Sequence, residues 1–349
     1  MIIKPARLRN VFVKVQENIL SIVTNKSLIG MATYKNKQIL NRVQEQLDFM
    51  VNKSWEYAPD LFTRLYQYSK IDKHLRKLRL SFTDQTVVNR IVDNFMGHIL
   101  ETASFSYMML NKLMQETRKE VLHQALADSV KDEAYKELYR QNIRKQGLVG
   151  FVDKAGKQWS MGNYTDMVMR TSMRMTNNHA VLFTYDKIDL YKIIGHANSC
   201  KKCAVHRNRV YSRSGTSPYY PPLASAFGKI DKNGLDNLEN SYLNIHPNCH
   251  CSIVPFVEGG KTAKEIDKIR EFSSYETNPP DKDPRSEAQV EAYKQRERGR
   301  QKLVDDFKEF QNMKVVLGGN MPKTFATFQK HKLSNSAQYK NWINSYKIS

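Results

Sequence analysis

The chain is 349 residues long and has 55 Lys and Arg against 35 Asp and Glu, a formal net charge of +20. So large a positive excess predicts attraction to polyanions such as DNA. No stretch approaches the roughly 18 consecutive apolar residues of a membrane span, which argues against a membrane protein. Four cysteines and a charged N-terminal sequence argue against a secreted disulfide scaffold, and a hydrophobic content of 40% argues against complete disorder.

The first 146 residues have the periodicity of packed helices. Apolar residues recur at steps of three and four after Thr83 and Asp84, either of which can cap the helix start. A second helical run extends from Tyr107 to Arg144 and ends at Gly147. A basic helix face is a candidate nucleic-acid contact, although a solvated surface is an equally good interpretation. The candidate residues on that face are Lys70, Lys73, Arg76, Lys77 and Arg79.

A change in composition at Gly147 predicts a second domain over residues 147–258. We expect it to begin with a β-hairpin and to continue with a helix capped by Ser160. Apolar runs at Leu190–Ile194 and from Ser252 onward predict strands. Between these runs the sequence has little periodicity but contains all four cysteines.

The remaining chain divides into a helix with a Pro-rich linker, residues 259–284, and a charged helix with a basic aromatic tail, residues 285–349. Ser286 and Gln289 form a capping box for that helix. Aromatics mixed with lysines can contact nucleic acid, but we favour docking because aromatic rings bury much apolar area. The aromatic residues of the tail are Phe325, Phe328, Tyr339, Trp342 and Tyr346.

All four cysteines belong to one bipartite pattern. Cys200-Lys-Lys-Cys203 is followed, after 42 residues, by His246-Pro-Asn-Cys249-His250-Cys251. A Cys-x-x-Cys turn directs two thiolates at one tetrahedral ion, and a second pair closes the shell. The fourth ligand stays open between Cys251, whose side chain points the same way as that of Cys249 on an extended backbone, and His246.

We therefore predict a structural zinc site, since neither export for disulfides nor a thioredoxin-like context for a redox pair is indicated. Its ligands come from Cys200, Cys203, His246, Cys249 and Cys251. His206 and His250 are further candidates. The predicted fold class is α+β: a helical N-terminal half, a small mixed β domain with a zinc knuckle, and charged C-terminal helices.

The order of these motifs resembles the minor capsid proteins of tailed phages, a head-morphogenesis family encoded beside the portal gene. The resemblance is most specific over residues 147–258, and the family usually has Arg where this chain has His250. Besides the two cysteine groups, it rests on Val152-Asp153-Lys154-Ala155-Gly156-Lys157-Gln158-Trp159-Ser160, Arg209-Val210-Tyr211-Ser212 and Pro221-Pro222-Leu223.

The resemblance implies a virion component inside the head near the portal, made in the cytoplasm of the bacterial host. Its implied role is in capsid assembly and in DNA packaging or delivery, with no enzymatic activity and no catalytic residues. The implied partners are the portal protein, the major capsid protein and double-stranded DNA bound without sequence specificity, with no membrane partner.

Two other functions are weighed against this one. A zinc-stapled endonuclease of the His-Asn-His type would use a histidine base and a divalent ion, but the required spacing of its histidines is not evident. Its candidate residues are Asn244, Asn248, His206, His246 and His250. A cellular zinc-ribbon protein ranks last, because the 42-residue gap exceeds the roughly 15–20 residues usual between zinc knuckles.

Overall fold

The structure, a computed structural model, describes residues 5–70, 79–124, 128–146, 149–152, 156, 158–227 and 243–348. Within these ranges the predicted α+β class is confirmed, because long helices are combined with two small antiparallel sheets. No described helix is long and apolar enough to cross a membrane.

Four helices precede the first strand in the part of the chain that the structure describes, as the N-terminal periodicity predicts. They are α1 (Pro5–Val23), α2 (Thr33–Ser69), α3 (Phe82–His123) and α4 (Asp128–Gln146). The helical run predicted from Tyr107 to Arg144 is divided between α3 and α4. The apolar stripe that predicted α3 is buried, and its members are Val88, Ile91, Val92, Phe95, Met96 and Ile99.

The cap of α3 differs from the prediction. The Ser81 hydroxyl accepts a hydrogen bond from the Asp84 amide at 3.1 Å, and the Asp84 carboxylate accepts one from the Ser81 amide at 3.2 Å. This reciprocal arrangement is that of a capping box, with Ser81 as the cap and Asp84 in the first turn. The assignment of Thr83 or Asp84 as the cap is therefore wrong.

The predicted hairpin and the helix after it are confirmed. Strands β1 (Val149–Val152) and β2 (Gln158–Ser160) pair antiparallel. Gly156, between them, has φ +79°, a conformation that glycine adopts without steric cost. The Ser160 hydroxyl accepts a hydrogen bond from the Asn163 amide at 3.3 Å and caps α5 (Met161–Thr184).

A three-stranded antiparallel sheet follows. Its central strand is β3 (Leu190–Ile194), flanked by β4 (Val210–Ser212) and β5 (Ser252–Pro255). The short helix α6 (Lys201–Ala204) and a 3₁₀ turn (Leu223–Ala226) lie between these strands in the chain. The strands predicted at Leu190–Ile194 and from Ser252 are thus confirmed.

The C-terminal part is helical. It contains α7 (Ala263–Ser273), α8 (Glu287–Leu317), a 3₁₀ turn (Gly318–Asn320), α9 (Phe325–Leu333) and α10 (Ala337–Ile348). Residues 278–284 contain no regular element, as the linker prediction requires. The predicted capping box is present, because Ser286 and Gln289 exchange side-chain-to-amide hydrogen bonds at 3.1 and 3.3 Å.

The chain divides into two compact units, each built from separated segments. One comprises Met1–Pro5, Glu56–Met96 and Asp166–Glu297, and the other comprises Ala6–Trp55, Gly97–Thr165 and Arg298–Ser349. The first unit contains the three-stranded sheet, whose core includes Tyr191, Ile193, Tyr211 and three of the cysteines. The domains predicted from the sequence are continuous segments of the chain, whereas each of these units combines separated segments. The predicted boundaries stay a prediction.

The aromatic tail has a core within the second unit. Phe328 is fully buried, with its ring centroid 5.3 Å from that of Phe310 on α8 and 6.1 Å from that of Trp342 on α10. Tyr339 joins this cluster, and Phe325 and Tyr346 pack against it partly buried. The preference for docking over nucleic-acid contact is consistent with this packing.

Candidate metal centre

The register of the sheet brings the two cysteine groups together. Ile194, the last residue of β3, pairs with Ser252, the first residue of β5. Cys251 directly precedes Ser252, and the segment after Ile194 leads to Cys200 within six positions. Both groups therefore lie at the same end of this strand pair, although they are far apart in sequence.

The structure brings all five predicted ligands into one cluster. The His246 Nε2 atom lies 3.2 Å from the Cys200 Sγ atom and 3.0 Å from the Cys203 Sγ atom. The Cys203 and Cys249 Sγ atoms are 3.6 Å apart. The donor atoms form two groups of three that share Cys203, and within each group all lie within 4.8 Å of one another. The second group is completed by Cys251.

This donor set fits zinc. Bond lengths of about 2.3 Å to sulfur and 2.0 Å to nitrogen place tetrahedral ligand atoms about 3.5–3.8 Å apart. The separation of the Cys203 and Cys249 sulfur atoms lies in that range, and those from His246 are slightly shorter. Thiolate and imidazole ligands with no carboxylate among them are typical of structural zinc sites. All four cysteines are free thiols, so they are available as ligands.

The thiols of the cluster differ widely in pKa. A hydrogen bond from Cys203 lowers the pKa of Cys200 to about 4, and hydrogen bonds from Cys203 and Cys251 lower the pKa of Cys249 to about 2. The same contacts raise the pKa of Cys203 far above its ordinary value. A divalent cation binds thiolates, so it would replace the protons held between these sulfur atoms.

His246 is oriented as a metal ligand. Its Nδ1 atom lies 2.6 Å from the carbonyl oxygen of Pro247, which can only accept, so Nδ1 carries the proton. The Nε2 atom then faces the sulfur atoms of Cys200 and Cys203. Such an anchor on the distal nitrogen is the usual way in which a protein fixes the tautomer of a ligating histidine.

Two residues let the backbone form this cluster. Asn248, within the second cysteine group, has φ +62°, a left-handed conformation that Asn adopts more readily than most residues. Gly195 follows β3, and a Cβ atom there would lie 2.9 Å from the Cys251 Sγ atom. Only a residue without a side chain leaves room for that sulfur.

The two further histidine candidates lie outside both donor groups. The His206 Nδ1 atom is 2.7 Å from the Tyr211 hydroxyl, and burial together with the charge of Arg209 lowers the pKa of His206 to about 4. His250 is exposed. Among the described residues, His246 is thus the histidine nearest the thiols.

Three arginines near the centre were not predicted as site residues. Arg285 and Arg296 donate hydrogen bonds to the carbonyl oxygens of Ser199 and Asn198, in the turn before Cys200. Arg209 is fully buried, and its Nε atom donates to the carbonyl oxygen of Val205 at 2.5 Å. Of the three, the sequence contains a signal for Arg285 alone. In Asp283-Pro284-Arg285 an acid and a base are close enough to pair beside a rigid proline.

The predicted nucleic-acid face is only partly described. Lys73, Arg76 and Lys77 lie outside the described residues, and Arg79 is exposed. Lys70 is buried, and its ammonium lies 2.7 Å from a carboxylate oxygen of Asp84. The exposure expected for Lys70 is therefore wrong, because the ion pair holds this side chain inside the unit. Nucleic-acid binding by the remaining residues stays a prediction.

The chain matches the family described as Phage minor capsid protein 2 over residues 22–318. This match covers well over half of the chain, and the protein belongs to that family. No curated protein and no solved structure shows significant similarity to it. Membership confirms the resemblance drawn from the sequence and makes the protein a structural component of a phage virion.

Proposed function

We propose that this minor capsid protein is a non-enzymatic component of the inner head, positioned near the portal and in contact with the portal protein and major capsid protein. In this role it assists capsid assembly and DNA packaging or delivery. The family match over residues 22–318 is the observation that carries the proposal. The strong positive charge supports a position beside the packaged genome.

Zinc has a structural part in this proposal. We infer that Cys200, Cys203, Cys249 and His246 bind it, since His246 is anchored by Pro247 and faces two of the sulfur atoms. An ion held there would tie the end of β3 to the start of β5 and close the long loop between them. With no open coordination position, such a site stabilises a fold rather than activating water.

Non-specific DNA affinity follows from the charge. A net charge of +20 attracts phosphates without reading bases. Binding of that kind weakens steeply as salt concentration rises, because each phosphate contact releases condensed counterions. A protein in a DNA-filled head gains from such contacts at any sequence of the genome.

The test is quantitative mass spectrometry of purified mature particles and of proheads, with the portal protein as internal reference. We expect a few copies per particle in a fixed ratio to the portal in both. Presence in proheads alone would identify an assembly factor that leaves before maturation and would overturn the virion role. Absence from both would refute the proposal altogether.

The His-Asn-His nuclease receives no specific support from the site. His206 is hydrogen-bonded to Tyr211, and His246 lies among the thiols, so the two are not arranged as a general base and a metal ligand at one phosphate. The Asn244 side-chain amide donates to the carbonyl oxygen of Thr171. Plasmid nicking that requires His206 or His250 would reverse this preference.

A further inference from the structure

Basic side chains contact the chain next to both cysteine groups. Arg170 and Arg174 are one turn apart on α5, His250 lies between Cys249 and Cys251, and Arg296 is on α8. All belong to the same compact unit. We call Arg170, Arg174, His250 and Arg296 the knuckle patch.

These side chains converge on one place. Arg174 donates to the hydroxyl of Ser252, which pairs with Ile194 at the end of β3, and Arg296 donates to the carbonyl oxygen of Asn198, four residues after Ile194. Arg170 is one turn from Arg174 on α5, and exposed His250 is two residues before Ser252. The patch is thus a single local concentration of positive charge.

Much of this charge is not neutralised within the described residues. Arg174 donates to the hydroxyl of Ser252, and Arg296 donates to the carbonyl oxygen of Asn198 at 2.6 Å. Both acceptors are neutral. Of the patch arginines, Arg170 is the one with a described carboxylate partner, Asp166 at 2.6 Å. The neutral contacts orient the guanidinium groups and leave their charge and further N–H donors available.

We propose that the knuckle patch binds the sugar–phosphate backbone of duplex DNA. Guanidinium groups held by neutral acceptors present fixed donors to phosphate oxygens, a geometry suited to positioning contacts without base readout. Exposed Lys201 and Lys202, in the first cysteine group, add charge near the same turn. The inference rests on the DNA affinity proposed above and moves its main contact from the predicted helix face to the metal centre.

Another function for these arginines is compensation of the negative charge of the thiolates. A zinc ion with three thiolates leaves one negative charge, which a single arginine would balance. Under that alternative, removing the arginines would release the metal and leave DNA binding to other surfaces. The two explanations therefore predict changes in different measurements: DNA affinity if the arginines contact DNA, and zinc content if they balance the thiolates.

The experiment compares full-length variants by fluorescence anisotropy with a labelled random-sequence duplex over a range of salt concentrations. Arg174→Gln/Arg296→Gln removes two patch charges. Lys264→Gln/Lys268→Gln removes two exposed charges from α7 and is the matched control. We expect the patch variant alone to lose about tenfold or more in affinity at ~0.1 M salt, and the slope of log affinity against log salt to fall by about 2.

Arg174→Lys/Arg296→Lys keeps the charge but not the guanidinium donors, so it should bind DNA more tightly than the glutamine variant and less tightly than the parent chain. Because Arg296 also contacts the turn before Cys200, zinc content is measured in every variant with zinc in excess, where we expect full occupancy. Equal affinity of the patch and control variants would overturn the patch while leaving DNA binding intact. Loss of zinc, or DNA binding by the lysine variant as weak as that of the glutamine variant, would mean that the arginines stabilise the fold and do not contact DNA. A parent chain that fails to bind duplex DNA would refute the proposed DNA affinity itself.

Discussion

The guanidinium of Arg285 donates a hydrogen bond at 3.2 Å to the carbonyl oxygen of Ser199, 86 residues earlier and directly before Cys200. Asp283 holds the same guanidinium through contacts of 2.9 and 2.8 Å to its two carboxylate oxygens. The start of the charged C-terminal segment is thus fastened to the first cysteine turn. Hydrogen bonds from residues that are not themselves ligands orient the ligands of metal sites in this way.

Removing this contact should weaken metal binding. We expect Arg285→Ala to lower zinc affinity by about 10–100-fold, because the turn before Cys200 loses its anchor. Competition with a chromophoric chelator measures the affinity. Lys294→Ala, which removes an exposed cation from α8, is the control and should bind zinc like the parent chain. If both variants bind zinc with the same affinity, Arg285 has no part in positioning Cys200.

The choice of the fourth ligand can be read from cobalt-substituted protein. Thiolate-to-cobalt charge transfer reports the number of bound sulfur atoms. With His246 as a ligand, Cys251→Ser should keep the charge-transfer intensity of the parent chain, whereas Cys200→Ser should reduce it. His246→Ala should weaken metal binding with the sulfur bands retained. A reduced band in Cys251→Ser, with His246→Ala unaffected, would instead establish four thiolate ligands.

The buried pair of Lys70 and Asp84 predicts an acid dependence of stability. Burial raises the pKa of Asp84, but hydrogen bonds from Lys70 and Tyr66 outweigh burial and leave this pKa below its ordinary value of 3.8. A carboxyl group with a lowered folded-state pKa stabilises the protein above its unfolded-state pKa. That stabilisation is lost as the pH falls through the folded-state pKa. We expect the decline to begin below about pH 4.

Urea unfolding near neutral pH and below about pH 4 tests this dependence. Near neutral pH, Asp84→Asn should lower the free energy of unfolding by about 3–5 kcal/mol, because the Lys70 ammonium is left buried without this carboxylate. The difference from the parent chain should shrink in acid. Asp93→Asn, on the exposed side of α3, is the control. A pH-independent difference would mean that the ion pair does not account for the loss.

The aromatic cluster of the tail should be needed for the C-terminal helices to pack. Phe328 is fully buried between α8 and α10, so Phe328→Ala should cost about 3–5 kcal/mol of local stability. Limited proteolysis should then cleave the chain within α9 and α10 much faster. Leu333→Ala, at a position 68% exposed on the same helix, is the control. Equal cleavage rates of the two variants would argue against a docked tail.

The features that the sequence predicted well depend on residues only a few positions apart. The caps at Ser160 and Ser286, the apolar stripe of α3 and the two cysteine groups are of this kind, because local hydrogen bonds and helical periods repeat within one or two turns. Even the error at the start of α3 concerned only which nearby polar residue serves as the cap. The bipartite spacing also predicted that these thiols and His246 lie close together, whereas metal binding by them stays a prediction.

The contacts between these locally predicted segments were determined by the tertiary structure. The 3.6 Å approach of Cys203 to Cys249, across 46 residues, depends on the pairing of β3 with β5. The burial of Lys70 depends on Asp84 in the next helix, and the anchoring of Ser199 depends on Arg285 from beyond the linker. Composition and periodicity carry no record of these partners, because register and docking are set by the packing of segments distant in the chain.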